Sequence, residues 1–219
     1  MALKSIKPER RRLADEVYEQ LINAIAKREI GVNDRLVQEK LAAELQISRT
    51  PVREALMRLE HEGVLCASVS GGFRLYQMNE EEIRELYQAR AAIEGQAARI
   101  LAVRGDPADI ADLRETILRE EDIHIETVQA YFKANRNIHR RFIELTGNRF
   151  LLEMLNVTWG KAMAIHLFGS IPKADLSKSL GSHMELVDVI ETGDKTEALE
   201  AITRHIQDGF ELQIRHLET

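Results

Sequence analysis

The stretch ISRTPVREALMRLEHEGVL, residues 47–65, predicts a short amphipathic helix. Pro51 falls in its first turn and Gly63 follows its last turn, which is the usual placement of these two residues at the ends of a helix. The positions predicted to be buried are Val52, Ala55, Leu56 and Leu59. Arg49 and Arg53 are one turn apart on the opposite side, so we expect a cationic surface there.

The sequence around this helix predicts a small domain of three helices and a hairpin. A first helix carries an apolar stripe formed by Leu13, Val17, Leu21 and Ile25. A second short helix is expected to begin at Asp34, a residue type that favours helix N-caps. Two strand-like runs, 65–69 and 73–76, flank a glycine turn at 70–72. This order of elements is that of a winged helix-turn-helix.

A winged helix-turn-helix with a cationic third helix predicts binding to double-stranded DNA. Such a helix can enter the major groove, where Arg49 and Arg53 can donate hydrogen bonds to guanine edges or phosphates. A basic arm from Lys4 to Arg12 precedes the domain and can add phosphate contacts. Two alternatives stay open: the arginines are ordinary solvated charges, or the domain binds another protein.

The charge of the chain is unevenly distributed. The 219 residues carry a formal net charge of −6. Residues 1–78 hold 13 Lys and Arg against 11 Asp and Glu, whereas residues 79–219 hold 17 against 25. A basic start on an acidic body permits a polyanionic partner at one end of the chain.

The composition predicts a folded, soluble protein. Hydrophobic residues make up 44% of the chain and charged residues 30%, which excludes a disordered or low-complexity chain. No apolar run reaches the roughly 20 residues that a membrane span needs, and the first 12 residues lack the apolar core of a secretory signal. The single cysteine, Cys66, allows no intrachain disulfide. We therefore expect a cytoplasmic protein with no membrane partner.

The segment from Val17 to the hairpin resembles the DNA-binding domain of GntR-type bacterial transcription regulators, and SRTPVREAL at 48–56 is its most specific motif. The residues that the resemblance implies as DNA contacts are Ser48, Arg49, Thr50 and Arg53, with Gly71 and Gly72 letting the hairpin approach the minor groove. Two positions depart from the family pattern. Val32-Asn33 replaces the usual Pro-Gly pair, and Glu39 stands where some members have a DNA-contacting arginine.

Asn79 followed by Glu82 forms a capping-box pattern that opens a long helix. This pattern places a domain boundary near residue 78, with a DNA-binding domain at 1–78 and a second domain at 79–219. The second domain shows only helical periodicity, and its predicted helices cover 79–104, 107–121, 125–146, 148–168, 174–192 and 194–218. The sequence thus predicts a mainly α protein, in which a winged helix-turn-helix with a small β-hairpin precedes an antiparallel all-α bundle.

Three histidines fall on inward-facing positions of three different predicted helices: His139, His183 and His205. Imidazoles from separate helices that meet in a core are a common way to bind zinc or a similar divalent ion. The alternative is that they are unrelated core histidines, each satisfied by a backbone carbonyl or a carboxylate.

Arg90 lies in the middle of the apolar stripe of the helix at 79–104. A buried guanidinium needs an anionic partner. Glu94, one turn later, is one candidate, and the carboxylate of a small effector is the other. Trp159 and His166, about two turns apart, are candidates to line the same cavity.

The second domain resembles the FCD ligand-binding domain of the FadR-type branch of the GntR family, in its six-helix subgroup. The matching stretches are YQARAAIEGQAAR at 87–99, NRNIHRRFIELTGN at 135–148, SHMELVDVIETGD at 182–194 and ALEAITRHI at 198–206. In metal-binding members an Asp four residues before the first histidine completes the site. The ligand set that the resemblance implies here is Asn135, His139, His183 and His205. Since a neutral amide oxygen is the weaker ligand, we expect metal binding with lower affinity and a more cationic centre.

These observations favour a ligand-responsive transcription regulator. The resemblance implies a homodimer that reads a palindromic operator. It also implies a small organic acid as effector, held by Arg90 and the metal. The metal is expected to be zinc or, alternatively, nickel or manganese. Repression relieved by the effector is the commoner family mode. The alternative from another class is a hydrolase or lyase that uses the three histidines as metal ligands. That chemistry also needs a general base beside the metal, and because no histidine lies in an H-E-x-x-H motif we expect no enzymatic activity.

Overall fold

The computed structural model describes residues 9–121, 128–160 and 172–215. The chain divides into two compact units, of which one ends at Gln77 and the other begins at Met78. The basic side chains of the predicted arm, Lys4 to Arg12, and His166 lie outside what the structure describes.

In the first unit, three helices precede a two-stranded antiparallel sheet. The elements are α1 (Glu9–Ala26), α2 (Gln38–Glu44), α3 (Arg49–His61), β1 (Leu65–Ala67) and β2 (Phe73–Leu75). The strands pair Leu65 with Leu75 and Ala67 with Phe73. Buried side chains from all three helices and both strands form one core, among them Val17, Leu21, Ala42, Leu56, Leu65 and Leu75. The predicted winged helix-turn-helix is confirmed.

Helix α3 has the faces that its sequence predicts. Its buried residues are Pro51, Val52, Ala55, Leu56 and Leu59. Ser48 occupies the N-cap position, and Arg49 and Arg53 are exposed on the other side. The apolar face therefore belongs to the core, and the cationic face points to solvent.

The predicted start of the second helix at Asp34 is wrong. Leu36 forms an antiparallel bridge with Phe73, in which each backbone N–H donates to the other residue's carbonyl at 2.8 Å. Because this pairing keeps the backbone extended, α2 begins only at Gln38. The Asp34 carboxylate instead accepts a hydrogen bond from the N–H of Gly31 at 2.7 Å.

The glycine turn of the hairpin has a structural reason of its own. Gly71 and Gly72 both have positive φ, 85° and 74°, a region that favours glycine. A Cβ atom on Gly72 would lie 2.6 Å from the carbonyl oxygen of Leu36, whereas one on Gly71 would meet only the end of the Arg35 side chain, at 3.1 Å. Gly72 is therefore required where the hairpin passes over the extended segment at Leu36.

The described part of the second unit is all helical. Its helices are α4 (Glu80–Arg104), α5 (Pro107–Glu121), α6 (Val128–Leu145), α7 (Arg149–Gly160), α8 (Lys173–Leu180), α9 (His183–Glu191) and α10 (Lys195–Arg215). The predicted capping box opens α4: the Asn79 side chain accepts from the N–H of Glu82 at 2.9 Å, and the Glu82 carboxylate accepts from the N–H of Asn79 at 2.8 Å. Helix α4 packs against α6, α7, α9 and α10, so it supplies the centre of the unit. No helix in the described ranges is long and apolar enough to cross a membrane.

The predicted helix at 174–192 is wrong, because the structure has two helices there. Gly181 and Ser182 both have ψ near zero, −6° and −5°, which ends the helical hydrogen-bond ladder. The Ser182 hydroxyl donates to the carbonyl of Ser179 at 2.8 Å. The break makes His183 the first residue of α9. The ends of other predicted helices, at 125–127, 161–168 and 216–218, lie outside the described residues.

We predict that Gly72→Ala destabilises the first unit more than Gly71→Ala does. Both changes place an L residue at positive φ, which costs roughly 1–2 kcal/mol. Only the first adds an overlap with a backbone oxygen, for which about 1–3 kcal/mol more is expected. Urea unfolding of both variants measures the difference, and equal losses would contradict this account of Gly72.

Candidate metal centre and DNA-binding face

Three histidines meet in the interior of the helical unit. His139 in α6 and His183 at the start of α9 are buried, and His205 in α10 is partly buried. The Nε2 atom of His139 lies 3.2 Å from that of His183 and 3.3 Å from that of His205. An ion with tetrahedral ligands at about 2.0–2.1 Å separates neighbouring ligand atoms by about 3.3 Å. These two distances fit one coordination sphere, and the candidate ligand atoms of all three histidines lie within 4.8 Å of one another.

The second nitrogen of two of these rings is held where α8 ends and α9 begins. Nδ1 of His183 donates to the carbonyl of Leu180 at 2.5 Å, and Nδ1 of His205 lies 3.1 Å from the hydroxyl of Ser182. Because a carbonyl can only accept, the neutral His183 ring directs the lone pair of Nε2 into the cluster. Burial lowers the pKa of His183 to about 3 and lowers the pKa of His205 well below its ordinary value. Both rings are thus neutral at pH 7 and able to bind a cation.

A buried ion pair orients the third ring. One oxygen of Glu94 accepts from Nε of Arg90 at 2.9 Å, and the other contacts Nδ1 of His139. Burial opposes ionisation of Glu94, but the positive charge of Arg90 and the contact with Nδ1 of His139 outweigh it, and the pKa of the carboxyl falls to about 2. A carboxylate on the outer nitrogen of a histidine fixes the ring and raises the basicity of the inner nitrogen. The Arg90–Glu94 pair that the sequence suggested is therefore present, and it also supports His139.

A small cavity of about 10 Å³ lies beside the cluster, with room for about one water molecule. Besides His139 and His205, its polar lining consists of Tyr87, Arg90, Tyr131, Asn135 and Ser179. The Oδ1 atom of Asn135 is buried and has no hydrogen-bond partner in the described part of the chain. An orphaned amide oxygen one turn before His139 is what a site for a cation or its bound water would leave. The residues present therefore fit a metal ion.

Arg90 reaches both the ion pair and the cavity. Its guanidinium lies over the ring of Trp159 at 4.3 Å and over the ring of Tyr87 at 5.0 Å. Glu94 engages only Nε of the guanidinium, and a side-chain hydrogen bond links Arg90 to Tyr87. Of the two partners considered for Arg90 from the sequence, the internal carboxylate is present.

Sequence reasoning missed three parts of this site. The contact between Glu94 and His139 joins residues 45 positions apart, and no local pattern marks it. Tyr131 and Ser179, whose hydroxyls are 2.9 Å apart, also read as ordinary helix residues. Only Ser182 carried a usable signal, since Gly-Ser before His183 is a plausible helix break.

The four predicted DNA contacts share the exposed N-terminal part of α3. The residues are Ser48, Arg49, Thr50 and Arg53, all exposed. The Ser48 side chain makes no cap hydrogen bond, which leaves its hydroxyl and the first N–H groups of the helix available to an anion. Arg49 donates to Glu39 at 3.2 Å, whereas Arg53 has no ion-pair partner within the described ranges. The other two predicted DNA contacts, Gly71 and Gly72, lie in the turn of the hairpin, which follows α3 in the sequence.

Comparison with known proteins identifies both units. Residues 85–208 match the family model described as the FCD domain, and residues 13–75 match the model described as bacterial regulatory proteins, gntR family. The first match spans more than half of the chain.

Individual relatives agree with these matches. The chain is 28% identical over 178 residues to the Nta operon transcriptional regulator of Aminobacter aminovorans, covering 81% of this chain and 83% of that protein. It is 28% identical over 205 residues to a protein of Paenarthrobacter nicotinovorans named a probable D-xylose utilization operon transcriptional repressor, covering 89% and 85%. A crystal structure of a GntR transcriptional regulator from Rhodococcus sp. RHA1 shares the fold, with a TM-score of 0.69 and 19% identity over 92% of this chain and 97% of that one.

We predict that Glu94→Gln destabilises the protein in the presence of a chelator by about 3 kcal/mol at pH 7, because it leaves the Arg90 guanidinium buried without a counter-charge. The pKa of Glu94 is about 2 in the folded protein against an ordinary 4.5. The unfolded chain therefore takes up the proton first, and the contribution of Glu94 is complete above about pH 5 and is lost as the pH falls towards 2. The difference in the free energy of unfolding between wild type and Glu94→Gln should therefore narrow as the pH falls from about 5 towards 2.

Chemical unfolding at several pH values measures this gap. Glu85→Gln, which removes an exposed carboxylate from the same helix, is the control and should change the free energy of unfolding by less than about 0.5 kcal/mol. A Glu94→Gln protein as stable as wild type at pH 7 would show that the ion pair does not stabilise the unit.

Proposed function

The chain belongs to the GntR family of bacterial transcription regulators and carries an FCD domain, and from this premise we propose that it is a repressor whose operator binding is controlled by a small organic acid at a metal-containing pocket. That it is a DNA-binding transcription regulator follows from the family. The observation that carries the finer proposal is the convergence of three imidazole nitrogens beside a polar cavity lined by Arg90.

The DNA-binding part of the proposal assigns operator contacts to α3 and the hairpin. Arg49 and Arg53 would donate to guanine edges or phosphates in the major groove. Ser48 and Thr50 would bind phosphates at the start of the helix, and the turn at Gly71 and Gly72 would approach the minor groove. The support for this assignment is the exposure of Ser48, Arg49, Thr50 and Arg53 at the start of α3.

The domain at 79–219 would hold the metal and the effector and mediate dimerisation, and the domain at 1–78 would bind DNA. His139, His183 and His205 would hold the ion, with Asn135 as a fourth ligand. We favour zinc, because neutral nitrogen ligands at tetrahedral spacing suit it, with nickel or manganese as alternatives. When bound, the ion would supply a positive centre that attracts the carboxylate of the effector.

Control by an effector would depend on the size of the cavity. An organic acid is larger than the single water that the cavity admits, so its entry would displace side chains of α4, α6, α8 or α10. Arg90 would orient its carboxylate through the terminal nitrogens. By linkage, an acid that releases DNA must bind more tightly to the DNA-free protein. A homodimer with two winged heads would read a palindromic operator with half-sites about 34 Å apart.

The name of one relative supports a repressor rather than an activator, since the protein of Paenarthrobacter nicotinovorans is named a repressor. The alternative of a metal-dependent hydrolase or lyase receives no support, because the relatives are transcription regulators.

Elemental analysis of the purified protein tests the metal centre. We expect close to one equivalent of zinc, nickel or manganese per chain in the wild type and its loss in His183→Ala, because that change removes one of three converging ligands. His61→Ala, which removes an exposed histidine of the first unit, should keep the metal. Metal absent from all three proteins would mean that the cluster is structural.

The DNA-binding face is tested on a duplex selected by the wild-type protein from random sequence. Arg53→Ala should bind this duplex with an affinity lower by about 1–3 kcal/mol, roughly tenfold or more, because it removes a guanidinium that has no other partner on α3. Arg58→Ala is the matched control on the same helix, since Arg58 pairs with Asp15 and Glu62 within the domain. Unchanged affinity of Arg53→Ala would contradict the assignment of α3.

A further inference from the structure

The candidate metal centre has no negatively charged ligand among the described residues. Its candidate ligands are three imidazoles and one amide, and an imidazole binds a metal ion through the lone pair of a neutral ring. Arg90, which lines the cavity, and Glu94, which contacts His139, are paired with each other at 2.9 Å. Among the described residues that line the cavity, none is a carboxylate. A divalent ion bound here would therefore bring two positive charges that no lining residue compensates.

A metal ion without a counter-charge would be costly in the buried core of the helical unit. Arg90, Glu94, Asn135, His139 and His183 are all less than a tenth exposed, and a charge removed from water needs a counter-charge or strong dipoles. The contact of Glu94 with His139 does not meet this need, because its negative charge is balanced by Arg90. The other buried carboxylate in the described core, Glu120, accepts hydrogen bonds from Asn137 and does not line the cavity.

We propose that the metal and an organic acid bind to this centre as a pair, because Asn135 makes the ligand set neutral and the acid must supply the missing negative charge. The proposal rests on the proposed function and goes beyond it in stating that tight metal binding depends on the acid. The isolated ion binds weakly, and the acid anion completes the site. Asn135 is the residue that sets this dependence, since it lies one turn before His139 with its amide oxygen directed at no partner in the described chain.

The pairing has a consequence for regulation. If the acid tightens metal binding, the metal tightens acid binding by the same factor, as linkage requires. The protein would then respond only when both are present. A carboxylate at position 135 would supply part of the missing charge from the chain itself and would weaken this requirement.

Zinc affinity, measured with a fluorescent indicator of free zinc, tests the proposal. The full-length protein is stripped with a chelator and titrated alone, with malonate, or with malonamide, the uncharged amide of the same size. Because the indicator reports free zinc, the binding of zinc by malonate itself is accounted for. Asn135→Asp is titrated in the same solutions, and Gln96→Glu, which adds the same charge at an exposed position of α4, is the control.

We expect malonate to tighten zinc binding to the wild type and to Gln96→Glu at least tenfold and malonamide to have no such effect. Asn135→Asp should bind zinc at least tenfold more tightly than wild type without any acid and gain less than threefold from malonate. Zinc binding to the wild type that is equally tight with and without malonate would overturn the pairing and leave the proposed metal centre intact. Folded wild type that binds no zinc in any solution would overturn both. The wild-type comparison of malonate with malonamide decides the matter even if Asn135→Asp does not fold.

Discussion

The candidate site depends on one buried carboxylate, Glu94, which is shared between Arg90 and His139. Neither charge of the ion pair could stay in the core of the unit alone, because an unpaired buried charge is strongly destabilising. The pair also fixes the ring of His139, so that its Nε2 faces the other two histidines. The Arg90–Glu94 pair on α4 therefore stabilises the buried charges and also orients His139, a potential metal ligand.

The break between α8 and α9 completes this geometry from the other side. Where the helical ladder stops, the carbonyl of Leu180 accepts from His183 and the hydroxyl of Ser182 lies beside His205. Five helices, α4, α6, α8, α9 and α10, thus contribute either a ring or its support. Because the adjoining cavity admits about one water molecule, a larger ligand would have to displace side chains of the helices that line it, α4, α6, α8 and α10.

The sequence predicted those features that local signals determine. The capping box at Asn79, the faces of α3 and the inward positions of the three histidines all follow from spacing within one helix, and the structure places them as expected. The extended backbone at Leu36 was missed because its pairing with Phe73 is distant in sequence. The contact between Glu94 and His139 was missed for the same reason. The prediction of one continuous helix through Gly181 was wrong because the apolar periodicity continues across the break. That periodicity outweighed Gly181 as an indication that a helix ends there.

X-ray absorption at the zinc edge of the zinc-loaded full-length protein tests the central claim most directly. The account predicts three imidazole nitrogens at about 2.0–2.1 Å, recognisable by ring scattering, with oxygen in the remaining position. Fewer than two imidazoles, or a sulfur ligand from Cys66, would contradict it.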